Sequence, residues 1–133
     1  MKNTDVSALS NEQLVAMYVD VSIRQADALL RNDLRRVNRL VDRQRIITDT
    51  LRARGTEARR ALIPLLDYVG QKSPWFSQER AQVRLNAATT LLAIVPEKAR
   101  ATLEELAARG PGDQKLSARM CLWHLETGVY KPT

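Results

Sequence analysis

Cys121 and His124 stand three residues apart near the C-terminal end of the chain, a spacing that brings both onto one face of a helix. A thiol beside an imidazole is the pairing of a nucleophile with its base. The pair also needs a substrate cleft and a group to orient the base, and spacing alone supplies neither. Cys121 beside Leu122 and Trp123 reads more simply as a small core residue. The same two residues cannot hold zinc, which takes four ligands, because the chain has one His and one Cys. Glu104-Glu105 are adjacent carboxylates, but neighbours on a helix diverge by about 100° and do not converge on one proton. Gly110-Pro111-Gly112 lacks the Lys-Ser/Thr and the preceding strand of a phosphate loop. The expectation is a protein that is not an enzyme, with no cofactor and no metal.

The charge carries more information. Between Arg24 and Arg60 lie eleven arginines and five acids, so this stretch holds the entire formal charge of +6. On a helical wheel Arg35, Arg36, Arg39, Arg43 and Arg54 share one sector of about 100° beside the apolar stripe, with Asp42 and Asp49 outside it. Arg offers a planar, multi-donor head suited to carboxylates and phosphates, and it is equally a good helix former on a solvated face. The sequence pI of about 10.0 brings nucleic acid into consideration. Base stacking needs aromatics, and the exposed candidates are Trp75 and Phe76, remote in sequence from the arginines.

The elements that must position these residues are helical. The 133 residues fit one domain, and the single cysteine excludes an intrachain disulfide. Apolar runs such as Leu91 to Val95 are far short of the roughly 20 residues that span a bilayer. Nothing behind Met1 resembles a signal-peptide core, so the expected location is cytoplasmic. Ser10 with Gln13 forms a capping box ahead of Leu14, Met17, Tyr18, Val21, Ala28 and Leu29. Asn32-Asp33 interrupts that helix. Asp33 caps a second one, with Leu34, Val37, Leu40, Val41, Ile47 and Leu51 as its stripe and Gly55 as its stop. A link this short makes residues 10–54 an antiparallel hairpin. Thr56 is expected to cap a third helix ending near Gly70, in which Pro64 must produce a kink or delete a backbone bond. A fourth follows the loop over 70–78, from about Glu79 to Val95. The fifth begins at Pro96. The sixth is expected to start from an Asp113 cap and end near Gly128, ahead of the tail 129–133.

The second half repeats. A shift of 41 carries Ala58-Arg59, Leu62 and Leu65 onto Ala99-Arg100, Leu103 and Leu106. A shift of 31 carries Arg84, Asn86, Ala87 and Leu91 onto Lys115, Ser117, Ala118 and Leu122. A recurring helix pair is the mark of an α-solenoid. Ala61-Leu62-Ile63-Pro64-Leu65-Leu66 followed by Val83-Arg84-Leu85-Asn86-Ala87-Ala88 resembles a HEAT/armadillo-type repeat, which has a kinking Pro in its first helix and Val-Arg early in its second. The latter run, with Met120-Cys121-Leu122-Trp123, also resembles a small bacterial family of such domains of unknown function. The 70–78 loop is longer than a standard HEAT turn, and the second unit has Lys115-Leu116 in place of Val-Arg.

The resemblance implies a binding scaffold and carries no active site. The expected fold is all-α, a short solenoid of two HEAT-like pairs (56–95 and 96–128) behind the hairpin. The expected function is protein–protein interaction, with an acidic partner surface meeting the arginine sector or the Trp75-Phe76 loop. The alternative is sequence-nonspecific nucleic-acid binding through the same sector. No membrane partner is expected.

Overall fold

The computed structural model describes residues 6–70 and 77–133. Trp75 and Phe76 therefore lie outside the described residues. Among those described there are six α-helices and no strand, so the fold is all-α: α1 (Asn11–Leu30), α2 (Leu34–Ala53), α3 (Thr56–Arg60), α4 (Ser77–Leu91), α5 (Pro96–Arg109) and α6 (Gly112–Thr127). Two 3-10 turns, Val6–Ala8 and Ile63–Asp67, complete the elements.

Local chemistry accounts for the boundaries. At the start of α1 the Gln13 amide donates to Ser10 Oγ (3.0 Å), and the Ser10 amide donates to Gln13 Oε1 (2.8 Å), the reciprocal capping box. Its C-terminus closes on a Schellman pair, with the Asp33 amide on the Ala28 carbonyl and the Asn32 amide on the Leu29 carbonyl. This pair needs a left-handed residue, and Asn32 supplies it at φ 55°. Asp33 then accepts the Arg36 amide and starts α2. The reversal is complete within Arg31-Asn32-Asp33, and α1 packs along α2.

The third helix is not one kinked rod. After Arg60 the chain passes into the 3-10 turn Ile63–Asp67, because Pro64 has no N–H for the ladder; the Leu65 amide bonds instead to the Leu62 carbonyl at 2.9 Å. Three other boundaries differ from expectation. Gly55, at φ 107°, is the residue before α3, with Thr56 already inside it. α4 ends at Leu91, four residues early, since Val95 precedes Pro96 and is held at φ −130°, outside the helical region. α6 is preceded by Pro111, so Asp113 sits in its first turn as a dipole-favoured acid and not as the cap. Ser77 and Gln78, expected in the loop, belong to α4.

The core runs through all the elements. α1 packs on α2 and α4; α4 packs on the Ile63–Asp67 turn, α5 and α6; α5 packs on α6. Residues equivalent by the internal shifts share burial: Ala58, Leu62 and Leu65 with Ala99, Leu103 and Leu106, and Ala87 with Ala118. In α2 the buried stripe is Leu40, Gln44, Ile47 and Leu51, whereas Leu34 and Val41 are exposed. Gln44 takes a core position because its amide donates to Ser22 Oγ (2.8 Å) and the Tyr18 carbonyl (3.3 Å). Ser22 Oγ also accepts from Asn86 Nδ2 (2.9 Å), which donates to Gln25 Oε1 (2.6 Å) as well. Gln82 donates to Asn86 Oδ1 (3.0 Å), and Gln114 donates to Gln82 Oε1 (2.9 Å). One polar chain thus fastens α2, α1, α4 and α6 together.

Candidate functional site

α1 and α2 leave a concavity of about 440 Å³ along the outer side of the hairpin, lined by Arg24, Arg36, Arg39, Leu40, Asp42, Arg43 and Ile46. Each arginine of the predicted sector has a definite situation. Arg36 is half-buried and donates from Nη1 to Asp27 Oδ2 at 2.8 Å, crossing from α2 to α1. Arg31 also donates to Asp27, from Nε, at 3.1 Å. The bond from Arg36, followed by that from Arg31, holds the Asp27 carboxyl below its usual range. Arg24 at the rim pairs with Asp20 at 2.9 Å. Asp42, expected outside the sector, borders the concavity, but its carboxylate is engaged by Arg45 at 3.1 Å.

Arg35, Arg39 and Arg43 are exposed, and no carboxylate pairs with them among the described residues. They follow one another at i, i+4, i+8 and span about 12 Å of helix. Beside them Ile46 is 50% exposed, and Leu40 is buried in the concavity's wall. The site is therefore a short cationic edge along a largely charged groove whose apolar part is Leu40 and Ile46. Such an edge can grip carboxylates or phosphates while an apolar side chain enters the groove.

Arg54 does not belong to it. Its guanidinium donates to Asn11 Oδ1 (2.9 Å) and the Ser7 carbonyl (3.0 Å), tying the end of α2 to the chain before α1. A helical wheel collapses the axis, and Arg54 lies about 22 Å along α2 from Arg39. Arg84, from the Val-Arg motif, donates from Nε to the Leu66 carbonyl (2.8 Å) and from Nη2 to Glu105. Its bond and charge pull the Glu105 carboxyl down. It therefore locks the Ile63–Asp67 turn and α5 onto α4.

Cys121 and His124 do share a face, bordering a second concavity of about 460 Å³ with Thr89, Leu116, Met120 and Tyr130. No bond joins the two, and burial pushes the Cys121 thiol up, away from the thiolate a nucleophile requires. Trp123 is not core: it is 57% exposed. Its ring tilts against His124 at 5.4 Å. Among the described residues no three His, Cys, Asp or Glu side chains converge as metal ligands, and no helix is long and apolar enough to cross a membrane.

Sequence reasoning passed over the apolar rim of the groove and the stripe Leu116, Met120 and Trp123. Its signal was the 4-then-3 spacing, running parallel to the buried Gln114 and Ala118 and the half-buried Leu122 on the other side of α6.

Residues 12–126 match a family described as a domain of unknown function, DUF2019. The chain belongs to this family. Its fold is similar to that of the protein RPA1889 from Rhodopseudomonas palustris CGA009, known from a crystal structure: the TM-score is 0.83 at 37% identity, over 98% of this chain and 100% of that one. No curated protein matches the chain. Family membership carries the whole of the described fold and brings no activity or ligand with it.

Proposed function

We propose that this protein is a non-enzymatic scaffold of HEAT/armadillo type that binds another protein through an acidic surface. The observation that carries the reading is the edge of Arg35, Arg39 and Arg43, which no carboxylate among the described residues neutralises, beside Leu40 and Ile46 of the α1/α2 groove. The repeat reading is supported by the shared burial of equivalent positions and by Arg84, which joins successive elements from its place in the Val-Arg motif. The edge is the wrong size for strong nucleic-acid binding. Three unpaired guanidiniums give a log–log salt slope of about −2.7 at most on duplex DNA, at roughly −0.9 per phosphate.

Titration of fluorescently labelled poly-glutamate and of duplex DNA, at low and physiological salt, tests this. Poly-glutamate is expected to bind the wild type and to lose affinity at least tenfold with Arg39→Glu/Arg43→Glu. Failure of poly-glutamate to bind at low salt overturns the reading. So does duplex DNA that binds more tightly than the acidic peptide with a steeper slope than three contacts allow, which would make nucleic acid the ligand.

A further inference from the structure

The last helix presents an apolar face with nothing on it. Leu116, Met120 and Trp123 stand at i, i+4, i+7 on α6 and are 63%, 47% and 57% exposed. They point away from Gln114 and Ala118, which are buried. The chain after α6 folds back beside them: the Tyr130 amide donates to the His124 carbonyl at 3.1 Å, and Tyr130 borders the same concavity as Leu116 and Met120.

The internal repeat says what such a face does. The shift of 31 that carries Ala87 onto Ala118 also carries Leu85, Thr89 and Leu92 onto Leu116, Met120 and Trp123. On α4 this is a covered face: Leu85 and Leu92 are buried, Thr89 borders the residues of α6, and the α5/α6 pair packs on α4. On α6 the positions are again mainly large and apolar, and among the described residues no further helix pair follows. The stacking face has been repeated in sequence, and among the described residues no helix covers it.

We propose that a second copy of this chain occupies it, α6 against α6 across a two-fold axis. With Val129 and Tyr130, the exposed parts of these side chains present on the order of 600 Å². Two such faces bury on the order of 1,200 Å², the lower bound of a specific interface, whereas a patch this large is unusual on a monomer. Trp, Met and Tyr at the centre with Lys115, Arg119 and Glu126 around them is the composition of an interface core and its rim. Head-to-tail stacking onto the other end of the fold is disfavoured. That end is α2, where Arg35, Arg39 and Arg43 would lose water against Leu116, Met120 and Trp123, while the Glu126 carboxylate at the rim is already engaged by Arg100 at 2.9 Å. Like on like closes after two copies. The inference does not depend on what the arginine edge binds.

Sedimentation equilibrium of the full chain, over a series reaching hundreds of micromolar, tests it. The expected mass is twice the 15.0 kDa of one chain, falling to one chain on dilution. Trp123→Glu and Met120→Glu, both at exposed positions, are each expected to restore the single-chain mass with an unchanged far-UV circular-dichroism spectrum. Arg39→Glu/Arg43→Glu is expected to leave the dimer intact. A single-chain mass at every concentration overturns the proposal, as does a dimer that survives both α6 variants or one that the arginine variant dissolves. Growth beyond two copies overturns the two-fold closure.

Discussion

Replacing Asn86 with Ala tests the polar chain that joins four helices. Asn86 spends its amide on Ser22 and Gln25 and its carbonyl on Gln82. Ser22 Oγ retains its bond from Gln44 and its own bond to the Tyr18 carbonyl, so it is not orphaned. Gln25 Oε1 and Gln82 Nε2 are orphaned, and both side chains are buried. An unsatisfied buried polar group costs about 1–3 kcal/mol, which gives roughly 2–6 kcal/mol for the two. Asn86 itself is only half-buried, so water reaches part of the gap and the lower half of that range applies. Ala returns about half a kcal/mol in helix propensity. The net expectation is a loss of about 2.5 kcal/mol.

At roughly 2.1 cal/mol/K per residue, the unfolding entropy of 133 residues turns that loss into a fall in Tm of about 9 °C. Urea and thermal unfolding followed by far-UV circular dichroism measure it, with exposed Asn38→Ala as the control for propensity. Gln25→Ala in the Asn86→Ala background removes one of the orphans, so the double variant is expected to lose about 1–2 kcal/mol less than the sum of the singles. A loss below about 1 kcal/mol for Asn86→Ala, together with additivity in the cycle, would refute the claim that this chain of amides fastens the helices.

Acid unfolding should report Asp27. Its folded pKa lies below the unfolded value, so its contribution is present above the unfolded pKa of about 4 and is lost as pH falls through the folded value. Asp27→Asn is therefore expected to flatten the acid limb of the stability profile, and an unchanged limb would place the dependence elsewhere. Gly55→Ala is expected to cost about 1–2 kcal/mol in urea unfolding. Nothing lies within 4 Å of the added methyl, so the cost is that of holding a side chain at φ 107°. Cys121 should react with a disulfide reagent at neutral pH more slowly than free cysteine, because burial disfavours its thiolate; faster reaction would revive it as a nucleophile.

The fold was legible wherever one local signal decided the matter. Ser10 with Gln13, Asn32-Asp33 and Pro96 all mark ends that the structure keeps. It was illegible where a boundary depended on two signals in competition. Pro64 was expected to kink a helix, but with only five residues of α3 before Ala61 there was too little ladder to resume after the break. The stripe of α2 was misread because Gln44 is polar; its burial depends on Ser22 and Tyr18, partners contributed by another helix. The site had the same division. Angles on a wheel grouped the arginines, but the Asp27–Arg36 pair spans a reversal of the chain, and Arg54 answers to Ser7 and Asn11 at the far end of α2.

The eleven arginines between Arg24 and Arg60 divide by what they touch. Arg24, Arg31, Arg36, Arg45, Arg52 and Arg60 meet carboxylates, and Arg54 and Arg59 meet carbonyls at either end of the chain. Arg35, Arg39 and Arg43 have no carboxylate partner among the described residues, and they are stacked one helical turn apart. Like charges at i, i+4 destabilise a helix by about 0.2–0.5 kcal/mol per pair, and opposite charges stabilise it by similar amounts. Arg39→Glu turns two repulsive pairs into two attractive ones, an expected gain of about 1 kcal/mol in urea unfolding. A merely solvated face would show that gain and nothing else. A binding edge must also lose affinity for poly-glutamate in the same variant, because a carboxylate now stands at the centre of the edge and satisfies its neighbours internally. Greater stability with undiminished peptide binding would reduce the three arginines to a solvated face, whereas stability and affinity moving in opposite directions is the result expected of a surface kept unpaired for a partner.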